Sequence, residues 1–350
     1  MKRPAFTLIE LLIVAAILAA IAGLLLVAMG SALESSRRAA CVSNLRQVGL
    51  AMHNYHGAHQ AWPPAVIWSP PGEPLGSVPM GVIDRVARRG RTQDDTIFAN
   101  WLAMLLPYLE QSVPSQPKRP ISHADNRVLR ESEVAVLKCP SDPYSTSDNK
   151  YERAMENRYA RGNFAINVGP DGNCVAGTRV DGEPCVMGFI ATRNQVWGSG
   201  VAGVNRSFRM QDVTDGLSHT VAINEIRAGV DPLDPRGAWA LGQIGASILA
   251  RHGEHDDAGG PNPASIGSEV FIGCKALTAK LGEAALAAER MACLVQELEM
   301  NLQSGSRSCH PGGVNVLLCD GSARFIANGI DGGIWHALHT RSSGETIQDF

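Results

Sequence analysis

The sequence predicts an α+β protein: one long N-terminal helix, followed by a head built on an antiparallel β-sheet with additional loops and helices. Three observations predict it. An apolar run, Leu8 to Met29, leads into a stretch with helical periodicity. Short segments rich in β-branched residues recur through the second half of the chain. Asp320-Gly321 sits between two apolar runs near the C-terminus, which is the signature of a tight hairpin. Of the 350 residues 45% are hydrophobic and 19% charged, enough apolar material for a core and too much for a disordered chain. With 31 basic residues against 34 acidic ones there is no basic footprint for nucleic acid.

The first element is the most informative. As a helix, Leu8 to Met29 spans about 33 Å at ~1.5 Å per residue, close to the roughly 30 Å of a bilayer's hydrocarbon core. Lys2 and Arg3 precede it, which leaves the N-terminus in the cytoplasm and sends the remainder across. Glu10 lies just inside the apolar segment, where a carboxylate costs about 2.5–3.5 kcal/mol. It is either an interfacial acid or a functional one. The helix is expected to run on. Cys41, Leu45, Val48, Met52 and Tyr55 recur at spacings of four and three, one face of an amphipathic helix. Gly57 and Trp62-Pro63-Pro64 stop it. The chain thus divides into a leader at 1–5, a transmembrane helix at 6–29, its amphipathic extension at 30–60 and an extracytoplasmic head at 61–350.

Further elements follow in order. Residues 63–95 are rich in Pro and Gly, with Arg85, Arg88, Arg89 and Arg91 on what reads as a solvated face. Ile97 to Gln111 reads as a short buried helix kinked at Pro107. Val134 to Lys138 reads as a strand entering the turn Cys139-Pro140-Ser141-Asp142-Pro143. Gly162 to Asn167 and Thr220 to Ile226 read as strands. Residues 250–270 read as loop, and Lys275 to Leu302 as one helix. Val314 to Leu318 and Ala323 to Ile326 form the hairpin around Asp320-Gly321, introduced by His310-Pro311-Gly312-Gly313.

The N-terminal string Lys-Arg-Pro-Ala-Phe-Thr-Leu-Ile-Glu-Leu-Leu resembles the prepilin-type signal of type IV pilins and type II secretion pseudopilins. That resemblance implies a pilin-like fold, cleavage between Ala5 and Phe6 by a prepilin peptidase, N-methylation of Phe6, and a role for Glu10 in subunit assembly. The family pattern has Gly before the Phe, where this chain has Ala5. A second set of segments runs from Arg37-Arg38-Ala39-Ala40-Cys41 through Leu106-Pro107-Tyr108, Leu137-Lys138-Cys139-Pro140-Ser141-Asp142-Pro143 and Val213-Thr214-Asp215-Gly216. It ends in the block His310-Pro311-Gly312-Gly313 to Asp320-Gly321-Ser322. In this order the segments resemble the bacterial prepilin-like family DUF1559, a domain of unknown function. The block makes His310, Gly312, Gly313, Asp320 and Gly321 family-motif residues. The family has Asn at the position of His219 and Arg at that of Cys309.

No enzyme emerges. His53, His56 and His59 recur every three residues at a helix end, where a negative dipole suits them, although a metal could bridge two. His252, Glu254, His255, Asp256 and Asp257 cluster in what reads as a solvated loop. Asp215, Ser218 and His219 hold the residue types of a triad but no nucleophile elbow. No Walker loop, Rossmann fingerprint or Cys-x-x-Cys is present, so no catalytic residue, cofactor or metal is expected. In an exported head, Cys174 and Cys185 form the best local disulfide pair, flanking two Asp-Gly turns. Cys274, Cys293, Cys309 and Cys319 can supply one or two more bridges. Cys41, on the helix's packing face, reads as a small buried hydrophobe.

The expected function is structural: a pseudopilin-like subunit in the inner membrane, competent for filament or secretion-pseudopilus assembly. Its expected partners are a prepilin peptidase, an assembly platform and other pilin or pseudopilin subunits, with no nucleic acid. The alternative is a membrane-anchored binding protein, or an enzyme, that uses the signal only for export and tethering.

Overall fold

The computed structural model describes residues 7–68, 97–109, 117, 119–153, 157–170, 179–180, 183–186, 189–191, 195–251, 260–264, 266–296, 303–345, 347 and 350. One helix, Leu8–His59, dominates its N-terminal part. At 52 residues it is about 78 Å long. It starts on a capping box. The Thr7 amide and hydroxyl both donate to Glu10 Oε2 at 2.8 Å, and the Glu10 amide donates to Thr7 Oγ1. It ends at Gln60, in the left-handed region at φ 57°.

The two halves of this helix differ in what surrounds them. In the first, apolar side chains are bare: Leu8 is 75% exposed, Ile13 54% and Ile21 48%. In the second, Cys41, Leu45, Val48, Met52 and Tyr55 are all buried, on the face that their spacing predicts. Fully burying a side chain such as Leu45 or Val48 contributes about 1.5–3 kcal/mol. Among the described residues no helix is long and apolar enough to cross a membrane. The segment expected to do so, 6–29, includes Phe6 and the side chains of 24–28, which lie outside the described residues.

The head carries the buried half of the helix on a five-stranded sheet. In spatial order its strands are Ile248–Ala250, Phe164–Gly169, Val221–Glu225, Gly313–Leu318 and Ala323–Ala327. The helix lies over the last two. A Cβ on Gly49 would come within 2.8 Å of Leu317 Cδ1, so the bare glycine permits the close approach. About three turns earlier along the helix the Arg38 guanidinium sits 4.7 Å from the centre of the Phe325 ring. Trp62, Trp101, Leu102, Ile166, Trp239 and Leu317 complete one continuous core with the helix face. A second, eight-stranded sheet runs from Ile97–Asn100 and Val66–Trp68 through Ala202–Val204 to the short strands at 179–197.

Several expectations need correction. The sheets are mixed, since Ile248–Ala250 runs parallel to Phe164–Gly169 and Val66 pairs in parallel with Val204. The connection 226–247 is long enough to carry the chain past its neighbour to the sheet edge, a step that no local pattern marks. Val134 to Lys138 is not a strand. Ala135–Leu137 is a single 3-10 turn with Val136 and Leu137 buried where the long helix packs on it. Lys275 to Leu302 is not one helix. Cys274–Leu281 and Glu283–Ala288 are separated by Gly282, whose φ of 85° no helix tolerates. Residues 291–296 are irregular, and 297–302 lie outside the described residues. The stretch read as a kinked helix begins as the strand Ile97–Asn100. It becomes helical only at Trp101–Leu105, capped by Asn100 Oδ1, before Pro107 opens a 3-10 turn.

Candidate functional site

Two regions of the chain carry chemistry, at opposite stages of the long helix. At its start, Glu10 is engaged by Thr7 as described above, so its carboxylate serves first as a helix cap. Ala5 and Phe6, the expected cleavage and methylation positions, lie outside the described residues.

The second region lies where the helix enters the head. Cys41, Cys139, Glu225 and His310 come together with one ligand-type atom each, all within 4.8 Å of one another. Each residue is at most 2% exposed. Cys41 Sγ donates to Glu225 Oε1 at 3.3 Å. His310 Nε2 lies 3.3 Å from Cys139 Sγ and 3.2 Å from Glu225 Oε1.

Each member is held by a different element. Cys41 sits on the packing face of the long helix. Glu225 ends the central strand Val221–Glu225, and its Oε2 accepts from the Asn315 amide N–H and side-chain NH2, both at 2.9 Å. That leaves Oε1 facing the sulfurs. Cys139 opens the turn predicted at 139–143. Its amide donates to Asn163 Oδ1 at 2.8 Å, and Asn163 in turn donates to Asp142 Oδ2 at 2.7 Å. The Asp142 carboxyl is raised, chiefly by burial. His310 precedes the hairpin, and its amide donates to Ser308 Oγ at 3.1 Å.

A second layer surrounds the cluster. His310 Nδ1 lies 2.6 Å from Glu34 Oε1, and Ser141 Oγ donates to both Glu34 oxygens at 3.0 Å. Glu34 and Cys41 are seven residues apart, two turns along the same helix face, so one element supplies both an inner and an outer group. Glu34 is 26% exposed at its side chain and marks where the cluster meets solvent.

The electrostatics are those of a buried polar knot. Burial alone would lower the His310 imidazolium. Hydrogen bonds to Cys139, Glu225 and Glu34, with the Glu225 charge, outweigh burial and raise it to about 11. The Cys41 thiol is pushed far up by its contact with Cys139, then by burial and by the Glu225 charge. The neighbouring Cys309 thiol rises to about 12, chiefly through burial. The protons on Cys41 and Cys309 are thus strongly held, and the four clustered groups together offer two sulfurs, one imidazole nitrogen and one carboxylate oxygen.

Of the site residues named from the sequence only His310 joins this cluster, and Cys41, read there as a small buried hydrophobe, is buried but is a polar member of it. Gly312 and Gly313 open the hairpin's first strand, and Asp320-Gly321 makes its turn. Asp320 Oδ1 accepts from the Ser322 amide and hydroxyl, and Gly321 adopts φ 86°. His56 and His59 are separately engaged, by the Met210 amide and the Tyr108 hydroxyl, and His53 stands beside Gly321. Asp215 accepts from the Ser343 and Gly344 amides, while Ser218 Oγ lies 3.3 Å from His219 Nδ1. Cys274 and Cys293 form a disulfide, while Cys309 and Cys319 are free. The Cys174–Cys185 pairing lies outside the described residues, as do residues 252–257 and the arginines at 85–91.

Sequence reasoning missed Cys41, Cys139 and Glu225 as a group because it looked for local spacing. Cys41 and Glu225 are 184 positions apart, and Cys139 and His310 171. The available signal was the set of motif segments itself, which contains Cys41, Cys139 and His310.

The family model described as "Protein of unknown function (DUF1559)" matches residues 30–333. The model described as "Prokaryotic N-terminal methylation motif" matches residues 1–26. No curated protein and no solved structure matches.

Proposed function

From the premise that the chain belongs to the DUF1559 family and carries a prokaryotic N-terminal methylation motif, we propose that it is a pilin-like structural subunit of the cell envelope. A prepilin peptidase removes residues 1–5, Phe6 is methylated, and the apolar half of the helix anchors the subunit in the inner membrane with its head outside the cytoplasm. The observation that carries this reading is the contrast within one helix. The face from Cys41 to Tyr55 is buried in the head, whereas large apolar side chains from Leu8 to Ile21 are bare. Water is a poor solvent for that surface. Lipid covers it before assembly, and the helices of neighbouring subunits cover it in a filament.

Glu10 gives the assembly its register. Its carboxylate is costly in lipid, and cleavage creates a complementary charge at the Phe6 amine. Pairing with the amine of an adjacent subunit relieves both charges at once.

The test is to express the chain natively, measure the intact mass of the membrane form, and analyse sheared surface fractions. Processing at Ala5 removes Lys2 and Arg3 and takes the formal charge from −3 to −5. A mature chain starting at methylated Phe6 and recovered in sheared filaments supports the proposal. A processed chain that stays a monomer in the membrane fraction favours the tethered binding protein. A chain that retains residues 1–5 defeats both.

A further inference from the structure

We propose that Cys41, Cys139, Glu225 and His310 bind one zinc-class divalent cation, which fastens the long helix to the head. Two thiolates, an imidazole and a carboxylate form a donor set that suits zinc over the hard cations calcium and magnesium, which take oxygen ligands. A tetrahedral ion with sulfur at about 2.3 Å and nitrogen or oxygen at about 2.0–2.1 Å holds its ligand atoms about 3.3–3.8 Å apart. Three of the six edges, 3.3 Å from Cys41 to Glu225, 3.3 Å from Cys139 to His310 and 3.2 Å from His310 to Glu225, are that size or a few tenths of an ångström shorter, and the other three lie within 4.8 Å.

The outer groups fit the same reading. A metal-bound imidazole gives its other N–H to a carboxylate, which fixes the tautomer and the ring orientation. Glu34 stands at His310 Nδ1 in that role, itself held by Ser141. Asn315 occupies Oε2 of Glu225 twice over and leaves Oε1 to coordinate. On binding, the ion displaces the thiol protons and any proton on His310 Nε2, which pass to solvent. The 2+ ion then balances the two thiolates, and Glu225 leaves the four-ligand site with one net negative charge.

Four protein ligands close a tetrahedral ion, and burial leaves no room for substrate. The site is therefore structural. It joins the helix to the 139–143 turn, the central strand and the segment before the hairpin. The direction in which the apolar half of the helix leaves the head is fixed at this point.

The experiment uses the full chain in detergent, purified without a metal-affinity step or chelator. Elemental analysis is expected to find one zinc per chain, falling below about a tenth in Cys41→Ser and His310→Gln. Cys309→Ser, which alters the adjacent free cysteine, should keep its zinc. Because the ligand variants could misfold, the wild-type chain carries a second test. Cobalt(II) exchanged into it should give thiolate-to-cobalt charge-transfer bands with tetrahedral d–d intensity, and zinc absorption fine structure should report two sulfur and two nitrogen or oxygen neighbours. Wild-type chain that takes up no stoichiometric zinc under reducing conditions overturns the proposal. So does a Cys41–Cys139 disulfide in protein taken directly from the envelope, or zinc retained by the Cys41→Ser/His310→Gln double variant.

Discussion

Glu34 Oε1 lies 2.6 Å from His310 Nδ1, so a carboxylate on the long helix orients an imidazole that belongs to the head. The two residues are 276 positions apart. This contact is the outermost layer of the junction between the two parts of the molecule, and its contribution can be measured.

Glu34→Ala is expected to weaken zinc binding by about 10–100-fold without changing the stoichiometry at saturating metal, as loss of an outer-layer carboxylate does elsewhere. Glu34→Gln, whose amide oxygen can still accept from Nδ1–H, should fall between Ala and wild type. Competition against a chromophoric chelator reads the affinity. Equal affinity in all three chains would show that Glu34 has no positioning role.

The capping box lets the two duties of Glu10 be separated. Gln also serves at this position of a capping box. Glu10→Gln should therefore keep the helix start and the maturation at Phe6, yet lose filament incorporation, because the charge is gone. Thr7→Ala removes the cap partner but keeps the charge. It should cost about 1 kcal/mol of helix-end stability and still assemble. Mature N-terminal sequence and protein in sheared fractions are the readouts. Normal assembly of Glu10→Gln would reduce Glu10 to a capping residue.

Arg161 is fully buried, and its guanidinium donates to the carbonyls of Asn149, Asp231, Asp234 and Arg236 at 2.6–2.8 Å. Burial lowers its pKa to about 10, still far above neutrality, so the group stays charged. Arg161→Met fills similar space but leaves those oxygens without their donor. The expected destabilisation is about 3 kcal/mol or more, read as a shift in the denaturant midpoint. A shift under about 1 kcal/mol would mean that water replaces the guanidinium there.

His339 is buried, with Nδ1 2.7 Å from the Trp335 carbonyl and Nε2 2.9 Å from Asn224 Oδ1. Burial, then the Trp335 hydrogen bond working against it and the nearby His336 charge working with it, leave the imidazole at about 3. An unfolded histidine takes up its proton near pH 6.5. Between those values the unfolded chain binds a proton that the folded chain does not, so stability falls as pH drops below about 6.5. At pH 5 the loss is about 2 kcal/mol relative to pH 7. His339→Gln should remove this slope. The opposite contribution of His310, whose pKa is raised, is common to both chains and cancels in the comparison. Denaturant titrations of both chains at pH 7 and pH 5 check it, and parallel losses would overturn it.

The sequence by itself determined the elements whose cause is local. The helix-forming run and its apolar stripe at Cys41, Leu45, Val48, Met52 and Tyr55 follow from a 3.6-residue period. The hairpin around Asp320-Gly321 follows from a turn that needs a positive φ. The segments at 164–169 and 221–225 are buried throughout and mostly apolar, and they were legible as strands. Pairing partners were not legible, because register and strand order depend on where a long connection brings the chain back. The break at Gly282 was written in the sequence but was outweighed by the helical spacing on either side. The cluster at the base of the helix was decided by tertiary structure alone. Nothing near Cys41 in sequence distinguishes a buried thiol that packs from one that binds. What distinguishes it is a turn, a strand end and a pre-hairpin segment that fold against the helix and bring Cys139, Glu225 and His310 to within 4.8 Å, where four polar groups must satisfy one another out of reach of water.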